Sequence, residues 1–146
     1  MNGLPMTCMV DASAGIKVLV NEDFSEEVQG WFERSVADSD DSLLVPDLFF
    51  IECANILWKK VRKGEYDQAA ALEDIADLRT LHLSSTPTVD LMDSALQMAL
   101  RFGITAYDAC YVALAERNNI PMLTADKRLA SALKDSACMV ILLGTE

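Results

Sequence analysis

The sequence predicts an α/β protein, a parallel sheet with both faces covered by helices. Two observations lead there. Short continuous apolar runs, MTCMV, SLLVP, IPMLT and CMVILL, have the length and composition of buried strands. Between them lie longer stretches with helical periodicity, and short strands alternating with helices imply right-handed crossovers and parallel pairing.

The elements follow in order. MTCMV is a strand ended by Asp11, and SAGIKVLVN is apolar enough for a short helix packed back on the sheet. Ser25, followed by Glu26 and Glu27, marks a helix start with acids placed favourably against the dipole. That helix runs through VQGWFERSVA and ends in the polar loop DSDDS. SLLVP is the second strand, with Pro46 suited to the first turn of the next helix. That helix, DLFFIECANILWKKVRKG, has basic last turns and Gly64 as its stop. YDQAAALEDIADLRTL is amphipathic, LHLSS is a weak strand, and Pro87 opens the helical region TVDLMDSALQMALRFG, ended by Gly103. A helix from Thr105 to about Asn118, the strand IPMLT, the helix KRLASALKD and the strand CMVILL complete the chain.

Composition removes several function classes. The 146 residues fit one domain, 1–146, with a real core. No apolar run reaches the roughly 18 residues of a membrane span, and MNGLPMTCMVDAS has no basic segment ahead of an apolar one. The expectation is a soluble, cytoplasmic chain without membrane contact. The four cysteines are widely spaced within apolar segments, with no C-x-x-C pair, and the one histidine is His82 in LHLSST. Zinc fingers, Cys/His proteases and disulfide scaffolds lack their raw material. A Ser-His-Asp triad would have to recruit His82, which reads as an ordinary strand histidine. No G-x-x-x-x-G-K phosphate loop is present. A net charge of −11 argues against simple electrostatic nucleic-acid binding, but not against binding through bound cations.

Most of the 23 acids lie in loops or on solvated helix faces. Four have unusual neighbours. Asp11 stands between two apolar segments after the first strand. It could N-cap the following helix, or Ser13 could share that work and free Asp11 for a cleft. Glu52, inside LFFIECANILW, shares a helix face with Asn55 among Leu48, Phe49 and Ile56, with no Lys or Arg within four residues. A long-range salt bridge, an exposed position or a bound cation would each remove the cost of burying it. Asp108 fits a T-x-x-D capping box with Thr105, yet Val112 and Ala115 lie above it. Asp126, just after IPMLT, could cap the KRLASALKD helix, with the Thr124 hydroxyl near the same strand end. Ligands gather beyond the carboxyl ends of parallel strands, so Asp11 and Asp126 are expected to face one cleft. Four carboxylates packed within a few ångströms of each other cannot all stay ionised without positive charge between them. All-oxygen donors suit Mg²⁺ or Mn²⁺, and metal-assisted phosphodiester hydrolysis is the chemistry that fits. Lys17, the KKVRK cluster and Lys127–Arg128 are candidates for contacting a nucleic-acid backbone, although KKVRK could equally be a solvated helix end.

At MVDAS, IECANILW, GITAYDACYVALAE and LTADKRL the chain closely resembles the PIN-domain family, and within it the VapC-type toxin ribonucleases of bacterial and archaeal toxin–antitoxin pairs. The pieces occur in the family's order and span most of the chain. The resemblance implies a three-layer α/β/α sandwich around a mostly parallel sheet of about five strands. It implies Mg²⁺- or Mn²⁺-dependent endoribonuclease activity, with Asp11, Glu52, Asp108 and Asp126 as the catalytic, metal-binding quartet. Asp11 and Asp108 become the foremost direct ligands, with Ser13, Asn55 and Thr124 as supporting groups. It further implies an RNA substrate, a homodimer, for which Trp31, Phe32 and Trp58 offer apolar surface, and a cognate antitoxin that blocks the cleft. The alternatives are a PIN-like module binding RNA or protein without catalysis, and an aspartyl-phosphate phosphotransferase using Asp11. D-A-S lacks the second acid of the D-x-D arrangement that the phosphotransferase needs.

Overall fold

A computed structural model describes residues 7–37 and 42–145. The MNGLP lead and most of the DSDDS loop lie outside the described residues.

Five strands form one sheet: β1 (Met9–Val10), β2 (Leu43–Pro46), β3 (Leu83–Thr86), β4 (Met122–Thr124) and β5 (Val140–Leu142). Their order is β3-β2-β1-β4-β5, and every pairing is parallel. The helices are α1 (Ala12–Gly15), α2 (Ser25–Ala37), α3 (Leu48–Arg62), α4 (Gln68–Leu78), α5 (Met92–Phe102), α6 (Ala106–Arg117) and α7 (Lys127–Ala132). Short 3-10 turns at Ile16–Val18 and Thr88–Leu91 extend α1 and precede α5. With right-handed crossovers, α1 to α4 cover one face of the sheet and α5 to α7 the other. This is the three-layer α/β/α sandwich.

Both faces of the central strands are sealed. Met9, Val10, Leu43, Val45, Met122 and Leu123 have no solvent exposure, which is why these runs are continuously apolar. The edge strand β3, LSST, is only half covered and correspondingly polar. Local signals act as the sequence suggests at most helix ends. Asp67 caps α4 by accepting from the Ala70 amide at 3.1 Å. Gly64, two residues past the end of α3, and Gly103, the C-cap of α5, take left-handed φ values of 72° and 68°. Pro46 differs from expectation. It is the last residue of β2, in register with Thr86, and Asp47 separates it from α3. The Asp47 amide donates to Thr86 and its carboxylate accepts from Thr88, so the turn is tied to the neighbouring strand instead of opening a helix.

Trp31 and Phe32 also depart from expectation. Both are buried in the core, so neither offers a surface for a second copy, whereas Trp58 is 55% exposed. The exposed apolar stripe lies instead on α5, where Met92, Leu96 and Leu100 recur at helical spacing with Val89 just before them.

One glycine fixes how closely α1 approaches α3. A Cβ on Gly15 would stand 2.5 Å from the ring of Phe49, which is fully buried and has no room to move. Gly15→Ala should therefore destabilise the fold by about 1–3 kcal/mol through overpacking. Gly30→Ala, in the middle of α2 with no neighbour nearer than 3.8 Å, should stabilise it by about 0.5–1 kcal/mol. Urea denaturation of the two variants checks both signs.

Candidate active site

Strand order reverses direction at β1, whose neighbours β2 and β4 lead the chain to opposite edges. The crevice at that switch point, beyond the carboxyl ends of the strands, is where such sheets bind ligands. A cleft of about 210 Å³ opens there, lined among others by Asp11, Ser13, Glu52, Asn55, Asp108 and Asp126. Asp11 follows β1 directly and Asp126 lies two residues past the end of β4. Glu52 is on α3 and Asp108 in the first turn of α6. Four segments distant in sequence thus deliver four carboxylates to one opening. Thr124 is fully buried just beneath it.

Asp11 is the most constrained. It is 5% exposed and N-caps α1, accepting from the Ala14 amide at 3.0 Å. The Ser13 hydroxyl donates to the same oxygen, Oδ1, at 2.7 Å, and the Thr124 hydroxyl donates to Oδ2. Ser13 therefore does not relieve Asp11 of capping; it supports the carboxylate and accepts from the Ala125 amide. Thr124 likewise accepts from the Asp126 amide, linking the two strand ends. A carboxylate has about four acceptor positions, and these bonds fill three, leaving Oδ2 one open position. Burial pushes the Asp11 pKa from 3.8 up to about 6. Its three hydrogen bonds oppose the rise, and the Asp108 charge adds to it.

Glu52 is half-buried and not without a partner: the buried Tyr111 hydroxyl donates to its Oε1 at 2.6 Å. Desolvation raises the Glu52 pKa; the Tyr111 bond pulls it back and the Asp108 charge raises it further. Burial, and then the bond to Glu52, hold the Tyr111 phenol above its ordinary range. Asp108 is raised by desolvation and by the Asp126 charge, against the Thr105 hydroxyl and the Arg128 charge. The Thr105 hydroxyl accepts from the Asp108 amide at 3.1 Å, which is the N-cap half of the capping box. Asp126 caps α7 through Oδ1, which accepts from the Arg128 and Leu129 amides.

The capping and cleft readings are therefore not exclusive. At Asp11 and Asp126, capping bonds occupy part of the carboxylate while the residue still lines the opening. The acids ring the cleft without meeting at a point: among the described residues, no three His, Cys, Asp or Glu side chains are close enough to hold one ion together. That arrangement suits a hard cation that keeps several waters and takes one or two carboxylates, as Mg²⁺ does. It is also what like charges adopt with nothing between them.

The basic candidates separate clearly. Lys17 is paired with Glu22 at 3.0 Å and only 10% exposed, and Lys60 meets the same carboxylate at 3.2 Å. Neither is available to grip RNA as expected of Lys17. The Arg62 guanidinium lies 5.1 Å from the Trp58 ring centroid. Lys59 is exposed and lines the acidic cleft one turn beyond Asn55 and Ile56. Lys127 and Arg128 are exposed at the start of α7. The residue the sequence did not single out is Tyr111. Its signal was its place in YDACY, three residues after Asp108 and so on the same face of α6. His82 is exposed and is not among the cleft residues, and all four cysteines are free and buried. No helix among the described residues is long and apolar enough to cross a membrane.

Known proteins share both sequence and fold. The PIN domain family model matches residues 8–134. Ribonuclease VapC3 of Pyrobaculum aerophilum is 37% identical over 129 residues, covering 86% of this chain and 93% of its own. Exonuclease VapC9 of the same organism is 29% identical over 142 residues, covering 96% of each chain. The crystal structure of PAE2754 from Pyrobaculum aerophilum superposes with a TM-score of 0.68 at 25% identity, covering 96% of this chain and 87% of that one.

The raised Asp11 pKa has a consequence for the metal-free protein. The folded state holds this proton more tightly than the unfolded chain does. The associated stability is complete below about pH 4 and is lost as pH rises through about 6. The loss amounts to about 2–3 kcal/mol. In EDTA, Asp11→Asn should therefore be more stable than the parent at pH 8, with the gap closing by pH 4. Urea denaturation across that range measures it, and a gap independent of pH would contradict the assignment.

Proposed function

The chain belongs to the PIN domain family, and from that premise we propose that it is a Mg²⁺- or Mn²⁺-dependent endoribonuclease, the toxin of a type II toxin–antitoxin pair. One observation supports this above the others. Four carboxylates on four separate elements line one cleft at the topological switch point, and the most buried of them keeps one acceptor position open.

Asp11 and Asp108 are the residues we assign to direct metal ligation. Asp126, from the α7 cap, and Glu52 would hold or orient the ion's waters, Glu52 with Oε2 since Oε1 is engaged by Tyr111. A divalent cation bound here supplies an activated water and neutralises charge growing on the phosphate oxygens. Ser13 and Thr124 hold Asp11 in place. Asn55 offers its amide, and Lys59 its ammonium, to the RNA beside the reacting phosphate. Water attacks phosphorus and the ribose oxygen leaves. No histidine or thiol takes part: burial pushes the nearby Cys53 thiol up to about 12, far from a reactive thiolate.

The purified protein should cleave RNA with Mg²⁺ or Mn²⁺ and stop with EDTA. Asp11→Asn or Asp108→Asn should lower the rate by on the order of 10²-fold or more, the scale for losing a group that stabilises developing charge. Unchanged rates in both would remove the assignment. A circular RNA substrate separates endonuclease from exonuclease action, since only the former linearises it. As a toxin, the protein should arrest growth when induced alone and be tolerated when co-expressed with the product of an adjacent antitoxin gene. The proposed homodimer uses the exposed stripe of Met92, Leu96 and Leu100 on α5. Leu96→Glu should convert it to a monomer by light scattering, with cleavage chemistry in the cleft retained.

A further inference from the structure

We infer that Tyr111 is a positioning residue, a clamp that fixes the Glu52 carboxylate so that one of its oxygens is held and the other faces the cleft. The inference rests on the metal-dependent reading of the site. It goes beyond that reading by assigning a role to a side chain outside the acidic quartet and its hydroxyl and amide neighbours.

The geometry is specific. Tyr111 is 1% exposed and among the largest fully buried side chains, yet it lines the acidic cleft. A tyrosine enclosed by core residues must still satisfy its hydroxyl, and here the O–H donates to Glu52 Oε1 at 2.6 Å. The two residues are 59 apart in sequence and come from helices on opposite faces of the sheet. Asp108 is on the same face of α6, one turn before Tyr111. The bond therefore ties the helix carrying Asp108 to the side chain of Glu52. Glu52 is a long, half-buried side chain that nothing else in its own helix pairs. With the phenol holding Oε1, it lacks the freedom to swing out along α3, and Oε2 is presented where Asp11 and Asp108 also face. Partners that orient a metal ligand from behind commonly change metal affinity by about 10–100-fold when removed.

The test is calorimetric titration with Mn²⁺ alone, without RNA, on the parent, Tyr111→Phe, Glu52→Gln and the double variant. Tyr66→Phe serves as a control, because it removes a tyrosine–carboxylate bond, to Asp74 at 2.5 Å, away from the cleft. Tyr111→Phe should weaken Mn²⁺ binding by about tenfold or more, with Tyr66→Phe unchanged. In the Glu52→Gln background the Tyr111 substitution should have little further effect, because it acts through Glu52. Parental affinity in Tyr111→Phe, or an equal loss in both backgrounds, would overturn the role while leaving the metal-dependent reading intact. A parent that binds no Mn²⁺ would overturn both. If Tyr111→Phe does not fold, Glu52→Asp takes its place. Its shorter side chain cannot stay on the phenol and still reach the cleft, so affinity should fall similarly, and parental affinity would overturn the clamp.

Discussion

A carboxylate buried at the end of the central strand is the constraint around which this molecule is arranged. Asp11 is removed from water because β1 lies between β2 and β4 with helices above and below, so whatever follows it enters the interior edge of the sheet. An isolated buried charge there would be prohibitive. The surrounding sequence softens the penalty in three local ways: the Ala14 amide at the start of α1, the Ser13 hydroxyl and the Thr124 hydroxyl. These compensate only in part, as the pKa near 6 records. Asp108 adds repulsion where an unassisted fold would avoid it. The metal-free fold therefore carries a cost at this position once Asp11 ionises.

The other acids inherit their positions from the same topology. Asp126 follows the strand beside β1, and its amide is bonded to the Thr124 hydroxyl that supports Asp11. Glu52 sits four residues into α3, which leaves the sheet on the other side of β1, and Tyr111 reaches it from α6. Even the helix approach is set by a single missing side chain, since Gly15 lets Phe49 lie against α1. The cleft is a product of strand order, and its acidity comes from the residues that follow β1 and β4 together with Glu52 on α3 and Asp108 on α6.

Much of this was legible in the sequence because the signals are local. Continuous apolar runs identified buried strands, Gly64 and Gly103 ended helices, and the four acids stood out against apolar neighbours. Long-range pairing was not legible. Glu52 read as partnerless because its hydrogen-bond donor is 59 residues away; Lys17 read as available for a different reason, since Glu22 is only five residues on and the turn that brings it back has no clear sequence signal. Trp31 and Phe32 were misplaced as surface for a related reason. Helical periodicity separates the two faces of α2 but does not say which one meets the sheet. Pro46 suits both a strand end and a helix start, and the pairing with Thr86 decided between them.

The central claim is that these carboxylates tolerate one another because a divalent cation comes between them. The direct measurement is the melting temperature of the protein at pH 7.5 and at pH 5 as Mn²⁺ is raised. Binding to the folded state alone must raise the melting temperature with ion concentration. The rise should be large at pH 7.5 and much smaller at pH 5, where Asp11 holds its proton. A melting temperature unmoved by Mn²⁺ at pH 7.5 would contradict the account.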